Sequence, residues 1–136
     1  MMDLGLKLGA FAALDSSVSV SAASAANGTA KDLSSSTRKP AHCRARFALS
    51  QTGTTNAARF QVRVQHSEDG TNWPDNDQGD PIFGWTAASA GADLTRGEPV
   101  AFAPKARYYR FRFDNFNATD SFSVSSEVAE DYVTDT

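Results

Sequence analysis

The chain has 136 residues, of which 40% are hydrophobic and 21% charged, and its formal net charge is -3 at pH 7. This length suits one compact domain with its own core. The single cysteine, Cys43, excludes an intrachain disulfide. The negative charge argues against a nucleic-acid binder that relies on bulk charge. Because no apolar run approaches the roughly 18 residues of a membrane span, we also expect no membrane partner.

The first forty residues lack the pattern of a packed domain. Val18 and Val20 alternate with serines, which predicts a short strand. From Ala22 the residues are small and polar, and such a segment buries too little apolar area to order by itself. We therefore predict an N-terminal strand and extended arm over residues 1–40, followed by a β-sandwich domain over residues 41–136.

From Cys43 onward the chain alternates apolar and polar residues. One face of the first segment carries Cys43, Ala45, Phe47 and Leu49. The same period of two recurs at 59–66, 107–116 and 121–128, and short apolar runs lie at 82–87 and 99–104. Strands that bury one face each require two sheets that cover each other. The pattern predicts an all-β fold, an antiparallel β-sandwich of immunoglobulin-like or jelly-roll type, with a closed barrel as the alternative.

No pattern in the sequence is typical of a catalytic site. The two histidines are His42 and His66, and His66 continues an inward strand face, where a structural histidine is the common case. A Gly-x-Ser-x-Gly elbow, a His-Glu-x-x-His pair and a phosphate-binding loop are all missing from the sequence. Cys43 lies on an inward face as a small hydrophobe. We expect no enzymatic activity and no cofactor.

The acidic segment DNDQGD contains Asp75, Asp77 and Asp80, whose carboxylates could bind calcium. However, glycine stands at the fifth position of the loop instead of the sixth, and no glutamate follows at the twelfth. Aspartate is also common in plain turns, where its side chain bonds nearby amides. We interpret the segment as a polar turn and expect no metal, with calcium as the alternative.

The outward strand positions carry five arginines and a tyrosine, which are the candidate contact residues: Arg44, Arg46, Arg63, Tyr108, Arg110 and Arg112. If their strands share a sheet, these residues form one basic stripe, and arginine and tyrosine are enriched where proteins meet. Stacking on a sugar or on single-stranded nucleic acid, or a purely structural cover of the sheet, are the alternatives.

Charge is also segregated along the chain. Residues 38–46 hold four lysines and arginines and no acid, whereas residues 127–136 hold four acids and no lysine or arginine. Such a division predicts complementary surfaces, and we expect these surfaces to meet between copies of the chain.

Two motifs carry a family resemblance. VQHSEDGTNW contains Ser67, Asp69, Gly70 and Trp73, and ARYYRFRF follows about 35 residues later. Together they resemble the β-sandwich head decoration (cement) proteins of tailed bacteriophages, over residues 43–128. They also resemble discoidin-type jelly rolls, but the paired cysteines and the early tryptophan region of those domains are missing. In the motif, Asp69-Gly70 is expected to form a positive-φ turn, Ser67 to bond across it, and Trp73 to cover the core end.

The phage resemblance implies a virion structural protein that binds the outer capsid surface. Its partners would be the major capsid protein and copies of itself, most simply as trimers at threefold positions. The contacts would be made by the N-terminal arm and by the six candidate contact residues. The alternative function is a carbohydrate-binding module or a tail-associated receptor-binding sandwich, in which Trp85 or Tyr108 would stack on sugar.

Overall fold

The computed structural model describes residues 4–33, 40–53, 59–75, 78–86, 93, 94 and 96–135. These residues form ten strands arranged in two five-stranded antiparallel sheets, which confirms the predicted antiparallel sandwich. The strands are β1 (Leu4–Lys7), β2 (Ala12–Val20), β3 (Ala25–Asn27), β4 (Lys31–Asp32), β5 (His42–Thr52), β6 (Arg59–Ser67), β7 (Asp80–Thr86), β8 (Val100–Phe102), β9 (Tyr108–Asn115) and β10 (Ser121–Asp135).

Each sheet is built around a pair of long central strands. In sheet I the order is β1–β10–β5–β8, and β2 also pairs with β10. In sheet II the order is β3–β9–β6–β7, and β4 also pairs with β9. The central pairs are antiparallel over eleven positions in sheet I, from Ser121↔Thr52 to Asp131↔His42, and over eight positions in sheet II. Strands distant in sequence therefore lie side by side.

The N-terminal segment differs from the predicted arm, because residues 4–33 form β1 to β4 along strands of both sheets. Ala25 and Ala26 pair with Asp114 and Phe113 of β9, and the Gly28 N–H donates to the Phe111 carbonyl at 2.8 Å. Leu33 is buried at the end of this path. The prediction considered only how much apolar area the segment can bury. A strand at the edge of a sheet also has unpaired backbone N–H and C=O groups, and pairing with them can order a segment that has few apolar residues.

The core between the sheets is aromatic. Phe47 of sheet I meets Phe111 of sheet II edge-on, with ring centroids 5.1 Å apart, and Phe60 meets Phe122 at 5.1 Å. Cys43, Val62 and Phe113 are fully buried around them. The inward positions expected from the alternation are thus confirmed, and the arginines between them point to the two outer faces.

Candidate functional site

The six candidate contact residues are divided between opposite faces of the sandwich. Arg44 and Arg46 lie on β5 in sheet I, whereas the other four, Arg63, Tyr108, Arg110 and Arg112, lie on β6 and β9 in sheet II. The six residues therefore do not form the single basic stripe, because their strands do not share a sheet. Alternation within a strand places these side chains outward, but the sheet that each strand joins depends on long-range pairing.

On the outer face of sheet I, Arg44 and Asp131 hold the segment that links β1 to β2. Arg44 Nε donates to Asp131 Oδ2 at 2.7 Å, and its Nη2 donates to the Gly9 carbonyl at 3.0 Å. The Gly9 N–H donates to Asp131 Oδ1 at 2.9 Å, and His42 Nε2 lies 2.9 Å from Oδ2. The hydrogen bond from Arg44 is the main reason that the pKa of Asp131 lies below its usual value.

Arg46 forms the second ion pair on this face, donating from Nη2 to Glu127 Oε2 at 3.0 Å. Its guanidinium also lies 4.0 Å from the centroid of the Phe11 ring, so the link between β1 and β2 covers both arginines. The basic segment 38–46 and the acidic segment 127–136 therefore meet within one chain, because β5 and β10 are antiparallel neighbours. The expectation that they meet between copies is wrong for these pairs.

The outward positions of β6 and β9 in sheet II carry four arginines and one carboxylate, Asp114. Arg63 and Arg112 are cross-strand partners, and Asp114 lies 3.4 Å from Arg63 Nε and 3.8 Å from Arg112 Nε. Arg112 also donates from Nη1 to Asn27 Oδ1 at 2.9 Å. Burial raises the pKa of Asp114, and the two arginines oppose that shift.

Arg110 has neutral partners. Its Nε donates to Gln65 Oε1 at 3.0 Å, and its guanidinium lies 4.2 Å from the centroid of a Trp73 ring. Burial, followed by the charge of Arg112, lowers the pKa of Arg110. Its positive charge is consequently stabilised by a ring face and an amide oxygen.

The turn at residues 67–73, which we call the acidic corner, forms with the expected geometry. Asp69 Oδ1 accepts hydrogen bonds from the N–H groups of Thr71 and Asn72, both at 2.8 Å. Ser67 Oγ accepts from the Gly70 N–H at 3.0 Å, and Gly70 has φ +74°, as expected. These amides hold the pKa of Asp69 far below its ordinary value. The turn uses its own acidic group to fix the chain.

Trp73 does not cover the core end, and that expectation is wrong. The connection after β6 folds back over the outer face of sheet II, where Gln65 Nε2 donates to the Gln78 carbonyl at 2.9 Å. Trp73 therefore packs on the Arg110 guanidinium, and its Nε1 donates to the Gly70 carbonyl at 3.2 Å. A large ring beside a turn can pack on either face of a sheet, and alternation says nothing about loop residues.

The two described candidate calcium ligands, Asp75 and Asp80, have other contacts. Asp80 pairs with Lys105, with Nζ 2.6 Å from Oδ2, and the Asp75 carbonyl accepts from the Gln78 N–H at 2.9 Å. Asp77 lies outside the described residues. In the part of the chain that the structure describes, no three metal-ligating side chains lie close enough together to hold an ion.

Neither the histidine nor the cysteine of the inward faces has the environment of a reactive group. Burial lowers the pKa of His66, which also bonds to the backbone of Ala103. Burial, with the charges of Glu130 and Asp131, raises the pKa of Cys43 to about 12. A thiol with this pKa is protonated near neutral pH, as expected of a small hydrophobe.

The two predicted sugar-stacking residues have different positions. Trp85 packs edge-on against Phe122 of the core, with ring centroids 6.0 Å apart. Tyr108 is on the outer face of sheet II, where the Arg107 guanidinium lies 4.9 Å from its ring centroid. The core contact of Trp85 argues against its predicted role as a stacking platform. Among the described residues, no helix has the length and apolar character that crossing a bilayer requires.

Comparison with known proteins shows the fold alone. No protein-family model and no curated protein sequence matches the chain. Dimeric latent PorU from Porphyromonas gingivalis is 14% identical, with a TM-score of 0.59, over 96% of this chain but 13% of PorU. The CBM22-1 xylan-binding domain of Paenibacillus barcinonensis Xyn10C is 10% identical, with a TM-score of 0.50, over 95% of this chain and 84% of that domain.

VP2 of the infectious bursal disease virus subviral particle is a more distant neighbour. It is 10% identical, with a TM-score of 0.47, over 95% of this chain and 32% of VP2. The fold is an all-β antiparallel two-sheet sandwich of the jelly-roll type. The chain spans a small part of PorU and most of the xylan-binding domain.

Proposed function

We propose that the protein is a non-enzymatic virion structural protein that binds the outer surface of a tailed-phage capsid. It bridges major capsid subunits and associates with copies of itself, most simply as trimers at threefold positions. The motif around Ser67, Asp69 and Gly70 and the Arg-Tyr strand support this proposal through their resemblance to head decoration proteins. The sandwich fold is compatible with it.

The observation that carries the proposal is a cluster of contact-type side chains on one rigid face. We call it the sheet II patch: Arg63, Trp73, Tyr108, Arg110 and Arg112. Arginine, tyrosine and tryptophan are the residue types that contribute most to protein interfaces. Four of its five residues lie on the two central strands of the sheet, and the acidic corner, which ends at Trp73, fixes one end of it. Little conformational entropy is lost when such a surface docks.

The charge of the patch indicates the chemistry of its partner. Two of its three arginines, Arg63 and Arg112, share the carboxylate of Asp114. The third, Arg110, contacts the neutral side chains of Gln65 and Trp73. We propose that the complementary surface of the major capsid protein is acidic. Binding that depends on such charges weakens as salt rises, because ions screen exposed charges beyond about 10 Å at 0.1 M.

The direct test uses purified virions of the phage that encodes this chain. Mass spectrometry should detect the protein in a fixed ratio to the major capsid protein, and cryo-electron microscopy should show it on the outer shell. Absence from virions would overturn the proposal, and so would presence only in the tail. A monomer that binds a defined glycan and ignores capsids would favour the carbohydrate-binding module instead.

The second test compares matched arginine variants on shells stripped of the protein. Arg110→Ala is expected to weaken rebinding about tenfold, since interface arginines are frequent hot spots. Arg46→Ala is the control, because its side chain lies on the opposite face and pairs with Glu127. If both variants rebind like the wild type, the sheet II patch is not the docking face.

A further inference from the structure

We propose that a hollow on the outer face of sheet II, where β6 begins and β7 ends, binds one sugar ring. The hollow has a volume of about 190 Å³. Sites for drug-sized ligands usually measure about 300–1,000 Å³. The space therefore suits one small ring, and its residues differ from those of the sheet II patch.

A glycine creates the hollow. Gly84 is an outward position of β7, opposite Gln61 of β6. A Cβ placed on Gly84 would meet no atom of the described residues within 4 Å, so the missing side chain leaves open space over this part of the sheet. The neighbouring outward pair, Arg59 and Thr86, closes one side of this space. An interior strand glycine often marks a place where another group approaches closely.

An exposed aromatic ring forms the remaining wall. Phe116, in the turn after β9, is 53% exposed. Its N–H donates to the Arg59 carbonyl at 3.1 Å, which fixes the ring beside the hollow. The Arg59 guanidinium lies 5.8 Å from the ring centroid, close to the outer limit of a cation–π contact.

These groups match the two surfaces of a pyranose. A sugar ring has an apolar C–H face that packs on an aromatic ring, and hydroxyls at its rim that both donate and accept. Arg59 donates, whereas the Gln61 amide and the Thr86 hydroxyl can do both. Among the described residues that line the hollow there is no carboxylate, and their one cation, Arg59, already faces Phe116. Neutral, hydroxylated ligands therefore fit it better than ions do.

The test is a titration of the purified protein with xylohexaose, cellohexaose and a chitin hexamer, followed by amide NMR. At least one saccharide should shift the Gln61, Gly84, Thr86 and Phe116 amides, with a dissociation constant at or below about 1 mM, as expected for a shallow site. If none shifts these amides at about 10 mM, the proposal is wrong.

Two variants and a control test whether a saccharide binds in this hollow and not elsewhere on the protein. Gly84→Val fills the hollow without steric conflict in a strand that accepts β-branched residues, and Phe116→Ala removes the wall. Each should lower the affinity about tenfold. Leu8→Ala, which truncates another exposed large apolar side chain, should not change it. Wild-type affinity in both variants would overturn the proposal.

Sedimentation of Phe116→Ala tests whether a second copy of the chain, instead of a sugar, occupies the hollow. If that variant converts an oligomer into a monomer and no saccharide shifts the amides, the hollow is a contact between copies, and the sugar proposal is overturned. Unchanged sedimentation together with lost saccharide binding supports it. The binding of Gly84→Val and Phe116→Ala to stripped capsids, measured in parallel, tests the sheet II patch independently of the hollow.

Discussion

Arg44 and Asp131 form a bidentate ion pair across β5 and β10, with donor–acceptor distances of 2.7 and 3.1 Å. The Asp131 side chain has no exposed area, whereas that of Arg44 is 25% exposed. Both residues also bond to the backbone of Gly9. One pair thus joins two central strands of sheet I to the N-terminal segment, which is why it is the most informative place to perturb the fold.

Asp131→Asn should destabilise the protein by about 1–3 kcal/mol, since an amide of the same size leaves the guanidinium uncompensated. Urea unfolding measures the change. Glu127→Gln at Arg46 is the matched control. The Glu127 side chain is 39% exposed, and exposed pairs contribute at most about 1 kcal/mol. Equal losses in the two variants would contradict the special role of Asp131.

The free energy of unfolding should also fall at acid pH, because protonation of Asp131 removes its ion pair with Arg44. Arg44 lowers the pKa of Asp131 in the folded state, so the stabilisation is complete above the unfolded value near 3.9 and is lost as pH falls below it. Asp114, whose pKa is raised, contributes with the opposite sign. The free energies of unfolding of the wild type and of Asp131→Asn, measured from pH 7 to pH 2, differ only by the contribution of Asp131. Their difference should shrink towards low pH, and a constant difference would refute the linkage.

Gly9→Ala should detach the N-terminal segment. An added Cβ would overlap the backbone carbonyl oxygen of Glu130, and neither backbone can move without breaking the contacts to Asp131. We expect a loss of about 1–3 kcal/mol and faster hydrogen exchange in residues 4–11, with β6 and β9 unchanged. Ala10→Ser, at an exposed neighbouring position, should exchange like the wild type. Wild-type protection in Gly9→Ala would show that this packing is not tight.

Gly70→Ala should cost about 1–2 kcal/mol, because φ is +74° and the new Cβ would lie 3.1 Å from the Tyr108 ring. Gly70→Asn separates the two causes, since asparagine tolerates positive φ but keeps the Cβ contact. Thermal unfolding should place the asparagine variant between wild type and alanine. If asparagine is as harmful as alanine, the Tyr108 contact is the dominant cause.

Trp73 and Arg110 should be energetically coupled. Their contact at 4.2 Å is half-buried, and such cation–π pairs contribute about 0.5–2 kcal/mol. A double-mutant cycle with Trp73→Ala and Arg110→Ala, followed by urea unfolding, measures this energy. Lys105→Ala, at an exposed ion pair with Asp80, combined with Trp73→Ala, supplies an additive control. Strict additivity of the first cycle would mean that the ring does not stabilise the guanidinium.

Much of the strand pattern was predictable from the sequence. Phe47, Phe111 and Phe113 face inward and their arginine neighbours face outward, as the period of two predicts. The signal is local and repeated within each strand. β1, β3 and β4 were not predicted because they have only two to four residues, too few to show a repeated pattern. Backbone pairing with β9 and β10 orders them.

The candidate site was predictable only in part. The outward arginines were found, but their division between two faces follows from the pairing of β5 with β10 and of β6 with β9. No pattern in the sequence indicates the hollow at Gly84. It forms only because the fold places Phe116 beside Arg59, 57 positions earlier in the chain. Trp73 was placed on the wrong side because the loop after β6 folds onto the outer face.

The amino-acid pattern is enough to establish that the chain makes half-buried strands, because residues at two-residue spacing lie on the same side of a strand and show which side is apolar. Tertiary structure alone decided which strands meet, and so which charges neutralise each other. Asp15 illustrates this: it is buried and accepts a hydrogen bond at 2.8 Å from Ser126, 111 residues away. Such a contact forms only when two distant strands already lie side by side, and no local pattern encodes that alignment.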